Sequence, residues 1–141
     1  MQIRAGRLED CPEIVKLLAE LGYPATDHFI YGKLNLILAS PNHYCFLAVD
    51  DCQLVVGFIS ISIILQIALA GDFARIDYLV VSEQCQQQGI GHMLEQKCVE
   101  IAKLRGCDRI ELHCHERRQL AHQFYNQQGY IESPKYFMKK L

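Results

Sequence analysis

The sequence predicts an α/β domain built on a mixed sheet, and three observations carry the prediction. Runs rich in β-branched and aromatic residues follow one another over 44–49, 54–64 and 73–81. Apolar residues at helical spacing precede and follow them. The last run leads into the turn Cys85-Gln86-Gln87-Gln88-Gly89-Ile90-Gly91, which opens directly into an amphipathic stretch. At 141 residues the chain has room for a hydrophobic core, and no composition shift or Gly/Pro/Ser-rich linker divides it, so a single domain over 1–141 is expected.

Gln2–Ala5 reads as a short first strand. Leu8, Cys11, Ile14, Val15, Leu17, Leu18 and Leu21 then recur at helical spacing, with Pro12 in the first turn, where its missing N–H is tolerated, and Gly22 as the stop. A second helix is expected over 27–39, with Phe29, Ile30, Leu34, Ile37 and Leu38 on one face and Ser40-Pro41-Asn42 closing it. The runs 44–49 and 54–64, joined by Asp50-Asp51-Cys52-Gln53, form an antiparallel hairpin, and Phe73–Val81 follows the break at Gly71-Asp72. In the long helix after the glycine turn, Ile90, Leu94, Cys98, Ile101 and Ala102 make the buried stripe and Gly106 ends it. A strand over 109–115, a helix over 118–128 capped by Gly129, and short strands at 130–131 and 136–140 around Pro134 complete the order β-α-α-β-β-β-α-β-α-β.

Composition excludes several functional classes. The net charge is −2 with a pI near 6.3, and the 14 Lys and Arg are scattered, so no nucleic-acid partner is expected. The longest apolar stretch, 54–70, is broken by Gly57, Ser60, Ser62 and Gln66 and falls short of the ~20 residues a membrane helix needs, so no membrane partner is expected either. The start of the chain enters a strand pattern without a basic-then-apolar leader. Seven cysteines, an odd number with no Cys-x-x-Cys pair, indicate reduced thiols in a cytoplasmic protein and no structural zinc.

The glycine turn carries the most chemistry. A strand that turns into a helix presents the helix's first N–H groups without internal acceptors, and a phosphate can sit on them if no Cβ blocks its approach. Gly89 and Gly91 meet that need, as would a tight connection with no ligand. A Walker A loop is excluded because His92 and Met93 follow Gly91, and a dinucleotide fold lacks its third glycine.

Leu79-Val80-Val81 before Gln86-x-x-Gly89-x-Gly91, with Ala121-x-x-Phe124-Tyr125-x-x-x-Gly129-Tyr130 near the end, resembles the GNAT superfamily of acetyl-CoA-dependent N-acetyltransferases over nearly the whole chain. Glu20-Leu21-Gly22-Tyr23-Pro24, Arg117-Arg118 and the closing Phe137-x-Lys139-x-Leu141 are similar to members that acetylate small amines, such as the aminoalkylphosphonate group. The resemblance implies a central, mostly antiparallel sheet, splayed between the fourth and fifth strands, with helices on both faces. It implies acetyl-CoA as co-substrate, its pantetheine arm lying like an added strand against the backbone of Leu79, Val80 and Val81. Its pyrophosphate would rest on the loop and helix start, Gln86, Gln87, Gln88, Gly89, Ile90, Gly91 and His92.

The implied reaction is direct attack of a primary amine of a small molecule on the acetyl thioester. A backbone N–H near Val80 or Val81 would stabilise the oxyanion, a base would take a proton from the ammonium form, and an acid would protonate the leaving sulfur. By transfer from the family motif Tyr125 is the acid, a phenol of ordinary pKa ~10 beside a thiolate of about 8–9; a packing aromatic bound to backbone is the alternative. Asp77, two positions before Leu79, is the candidate base, its pKa raised by desolvation in a half-buried cleft. The alternative is a sheet residue paired with Arg75 or Arg109, and Glu111 is a second candidate base.

His113 and His115 would share one face of their strand, but with no third ligand identifiable no metal is expected. Cys114 or Cys85 as a covalent nucleophile is a further enzymatic reading. Two positions depart from the family pattern: Arg118 stands where many relatives have asparagine, and Gln86-Gln87-Gln88 replaces the common basic residues, which puts the weight of pyrophosphate binding on backbone amides. An acyl-CoA-binding regulatory module and an acetyltransferase of protein or peptide N-termini are the competing functions. The apolar segment 63–69 offers a pairing surface for a homodimer.

Overall fold

The computed structural model describes residues 1–114, 118–133 and 136–141. The strands are β1 (Gln2–Ala5), β2 (His43–Val49), β3 (Val55–Ile64), β4 (Phe73–Val81) and β5 (Arg109–Leu112), and the helices are α1 (Cys11–Leu21), α2 (Ile30–Ala39), α3 (Ile90–Leu104) and α4 (Gln119–Gln127). They form a sheet of order β1-β2-β3-β4-β5, antiparallel up to β4 and parallel between β4 and β5.

Alternation along β2, β3 and β4 sends side chains to two cores. Ile59, Ile61, Ile63, Ala74 and Ile76 pack with Ile90, Leu94, Cys98 and Ile101 of α3. Cys45, Leu47, Val49, Phe58 and Val80 pack with Ile14, Leu17 and Leu18 of α1 and Ile30 and Leu34 of α2. Helices therefore cover both faces, as the sequence predicts. Gly57 is where strand meets helix: a Cβ there would lie 2.8 Å from the Val80 carbonyl oxygen and 3.2 Å from Leu94 Cδ1. Gly57→Ala is expected to lower unfolding stability by about 1–3 kcal/mol; an unchanged urea midpoint would show that the backbone gives way at no cost.

The pattern of faces changes within β4. Ser60 pairs with Tyr78 and Ile61 with Ile76, so Asp77 is an extra residue in a β-bulge. Ala74 and Ile76 face α3 before the bulge, Leu79 and Val81 do so after it, and Val80 joins the opposite core. Without the inserted residue the C-terminal half of β4 would present the wrong side chains to each core.

Arg4 of β1 is tied to Asp10 by paired hydrogen bonds of 2.9 and 2.8 Å, and Asp10 also accepts the Arg7 N–H at 2.8 Å. The Asp10 side chain is 9% exposed, and the Arg4 hydrogen bond holds its carboxyl below the ordinary range. The native state therefore binds this proton less readily than the unfolded chain. The stability it contributes is complete above the unfolded value near 3.8 and is lost as pH falls through the lower folded value. Asp10→Asn is expected to cost about 2 kcal/mol near neutrality and to flatten the acid limb of stability against pH; a parallel acid limb would remove Asp10 from that dependence.

Two expectations are corrected. The strand expected over 109–115 ends at Leu112, because β4, its partner, pairs with it only as far as Ile76; His115 lies outside the described residues. The short strands expected at 130–131 and 136–140 do not form among the described residues, and Pro134 lies outside them. Ile131, Phe137, Met138 and Leu141 are exposed, so the apolar residues of this segment have no face to bury.

Candidate active site

β4 and β5 run side by side from Phe73↔Arg109 to Ile76↔Leu112 and then part. From 78 to 81, β4 still pairs with β3 but, among the described residues, has no strand partner on its other edge. The chain then passes through Ser82 and a 3₁₀ turn, Glu83–Cys85, into the glycine turn. Gln87 (φ 63°) and Gly89 (φ 79°) are left-handed, a backbone arrangement that gathers N–H groups into an anion-binding concavity. A glutamine held at positive φ is strained, which is common where a loop is shaped for a ligand.

α3 starts at Ile90, the first residue of the buried stripe expected from sequence, and the first intrahelical bond is donated by the Met93 N–H to the Gly89 carbonyl at 3.1 Å. The amides of Ile90, Gly91 and His92 are thus the first-turn donors with no acceptor inside the helix. The two glycines do different work. A Cβ at 89 meets nothing within 4 Å, so Gly89 is needed for its backbone angle. A Cβ at 91 would lie 3.1 Å from the Phe124 ring, so Gly91 makes room for α4. Gln86 turns back, its Nε2 donating to the Val81 carbonyl at 3.4 Å.

Val81, Gly91 and Phe124 meet at one point, which sets α4 against the end of β4 and the start of α3. His92 Nδ1 donates to Gln128 Oε1 at 2.6 Å and strengthens that joint. Tyr125, on α4, is edge-on to Phe124 (5.1 Å) and to Tyr130 (5.5 Å). Burial, followed by nearby Cys114, pushes its phenol well above the ordinary range, so Tyr125 keeps its proton throughout the working pH. The ordinary value expected from sequence is corrected in that direction; desolvation acts the same way on a thiolate formed beside it.

Asp77 accepts a hydrogen bond from the Ser62 hydroxyl across the bulge and is exposed rather than half-buried. It pairs with neither Arg75 nor Arg109; Arg109 instead pairs with Asp108 at 2.6 Å and lies over the Phe73 ring. Tyr78, beside Asp77, packs edge-on against Tyr23 at 5.7 Å. Arg75 stands between Ser62 of β3 and Glu111 of β5 in the sheet register. Among the described residues it forms no ion pair, and its buried Nε has no hydrogen-bond partner.

His113 is exposed and stacks on Tyr136 at 4.2 Å. Among the described residues no three His, Cys, Asp or Glu are grouped to hold a metal ion. Burial raises the Cys114 thiol, which opposes its use as a nucleophile. Sequence reasoning did not single out Glu95, which is 2% exposed and accepts hydrogen bonds from Tyr130 Oη at 3.0 Å and Gln96 Nε2 at 2.9 Å. The cue was present: Glu95 precedes Cys98 by three and Ala102 by seven, which places a carboxylate on the buried stripe.

The sheet opens beside the N-terminus of α3, and the sequence pattern of the acetyltransferase (GNAT) family matches residues 10–130. The chain belongs to that family, and is an N-acetyltransferase by membership. It is 30% identical over 141 residues to aminoalkylphosphonate N-acetyltransferase of Salmonella typhimurium, covering 99% of this chain and 91% of that one. Two solved structures share its fold. One, described as a transcriptional regulator from Bacillus halodurans C-125, has a TM-score of 0.89 at 23% identity over 99% of both chains. The other, aminoglycoside N-acetyltransferase AAC(6')-Iy in complex with CoA, has a TM-score of 0.87 at 16% identity, covering 99% of this chain and 93% of that one. Among the described residues no helix is long and apolar enough to cross a membrane.

Proposed function

We propose that the chain transfers the acetyl group of acetyl-CoA to the primary amine of a small molecule by direct attack. The observation that carries this is the edge of β4 over 77–81, unpaired among the described residues, which leads into the left-handed Gln87 and Gly89 and the open first turn of α3. An extended arm can be held by the backbone of Leu79, Val80 and Val81 as an added strand. A pyrophosphate can be held by amides from Gln86 to His92, with Gln87 and Gln88 as neutral polar neighbours. Bound there, acetyl-CoA supplies the activated thioester.

The chain's own groups perform the remaining tasks. Asp77, aimed by the bulge and steadied by Ser62, accepts the amine's proton directly or through a water. A backbone N–H near Val80 or Val81 faces the developing oxyanion. Tyr125 holds the proton that the leaving sulfur takes up. Arg75 supports an acceptor with an acidic group as well as an amine, since a half-buried guanidinium with no ion-pair partner among the described residues and a buried, unbonded Nε calls for an anion. It lies two strand residues, or roughly 7 Å, from Asp77. The name of the Salmonella relative agrees with an acceptor of that kind.

The test is calorimetric titration with acetyl-CoA, followed by thiol release across short aminoalkylphosphonates, ω-amino acids, plain alkylamines and a peptide N-terminus. Saturable binding with turnover on the short acid-bearing amines is expected. Binding without turnover on any of them would replace the enzyme by a binding module, and turnover on the peptide alone would move the acceptor class.

The exposed Leu65, Ile67 and Leu69 after β3 support a homodimer formed through this segment. Light scattering should give twice the chain mass, reverting to the monomer in Ile67→Asp.

A further inference from the structure

Glu95 is a charged group on the buried side of α3, which it shares with Leu94, Cys98, Ile101 and Ala102. It is 2% exposed on α3, and among the described residues no Lys, Arg or His pairs with it. A buried carboxylate is costly even when hydrogen-bonded, and exchange of such a group together with its partner for apolar ones is often neutral or stabilising. Its presence therefore calls for a purpose other than stability.

Its bonds point to one. Glu95 Oε1 accepts the Tyr130 hydroxyl at 3.0 Å, the Tyr130 ring lies edge-on to Tyr125 at 5.5 Å, and the Tyr130 N–H donates to the Tyr125 carbonyl at 3.0 Å. Tyr125 is thus braced from the core of α3, the same helix whose first turn lies at the glycine loop. We propose that Glu95 is a positioning residue: by accepting the Tyr130 hydroxyl its carboxylate holds the Tyr130 ring against Tyr125 and so aims the Tyr125 phenol. The inference rests on the reading of Tyr125 as the proton donor. Glu95 also acts through charge, since it is among the groups that disfavour a phenolate at Tyr125 and at Tyr130.

The experiment compares Tyr130→Phe, Glu95→Met, Glu95→Gln and the Tyr130→Phe/Glu95→Met double variant with Tyr125→Phe. Thiol release from acetyl-CoA and 2-aminoethylphosphonate is followed alongside thermal melting and the ¹⁹F spectrum of fluorotyrosine-labelled protein. Expected are a fall in kcat of about tenfold or more in Tyr130→Phe and Glu95→Met with KM for acetyl-CoA unchanged, and no further fall in the double variant. Glu95→Gln, which keeps an acceptor for the hydroxyl, should recover part of kcat. The melting temperature of the Tyr130→Phe/Glu95→Met double variant, which removes both partners of the hydrogen bond, should equal or exceed that of the unaltered protein, which a merely structural role would not allow. The Tyr125 ¹⁹F resonance should move in both single variants, whether or not this amine is turned over.

An unmoved resonance overturns the proposal, as does unchanged kcat in Tyr130→Phe beside a depressed Tyr125→Phe, or a kcat loss in the double variant that only tracks lost stability. Full activity in Tyr125→Phe would instead remove the proton-donor reading on which the proposal stands.

Discussion

Tyr125→Phe is expected to lower kcat by about 10²–10⁴-fold, the usual contribution of a positioned general acid, with KM for acetyl-CoA nearly unchanged. The substitution removes one oxygen and keeps the ring, so the edge-on contacts with Phe124 and Tyr130 persist and the fold should be little disturbed. The loss should therefore appear in turnover and not in melting temperature. Because burial holds the phenol above any working pH, the alkaline limb of the kcat profile should not move in the variant. Equal turnover would remove Tyr125 from the chemistry and leave it a packing residue.

Arg75→Gln is expected to lower kcat/KM for acid-bearing amines by about 10²-fold while plain alkylamines keep their values, because only the former lose a charge-assisted contact. Loss of a half-buried cation that has no ion-pair partner among the described residues should leave stability unchanged or raise it. Kinetics on an acid-bearing amine and its neutral counterpart measure the ratio directly. If both fall together, Arg75 serves the sheet or the cofactor rather than the acceptor.

Much of this architecture is legible in the chain. Ile59, Ile61 and Ile63 alternating with Ser60 and Ser62 identify β3, and the stripe from Ile90 to Ala102 identifies α3, because both periods follow from backbone geometry alone. The turn at Gly89 is equally local, since its residue type reports a backbone angle that other residues avoid. The Gly91 contact is not local: the residue that fills the missing Cβ's space is Phe124, far along the chain. Strand ends are harder for the same reason. Cys114 lies in a run that favours strand, yet β5 stops at Leu112 where β4 leaves it.

The residues that carry the proposed chemistry divide along this line. Sequence alone determined the element order as far as α4, the apolar stripes of the helices, the glycine turn and the family motifs with Asp77 and Tyr125 in them, because periodicity, turn angles and motif spacing are written residue by residue. Only the tertiary structure decided that Asp77 sits in a bulge against Ser62, that Arg75 lacks an ion-pair partner among the described residues, and that Glu95 braces Tyr125 through Tyr130. Each of these is a contact between segments distant in the chain, and whether a charge is buried or paired depends on what packing brings to it.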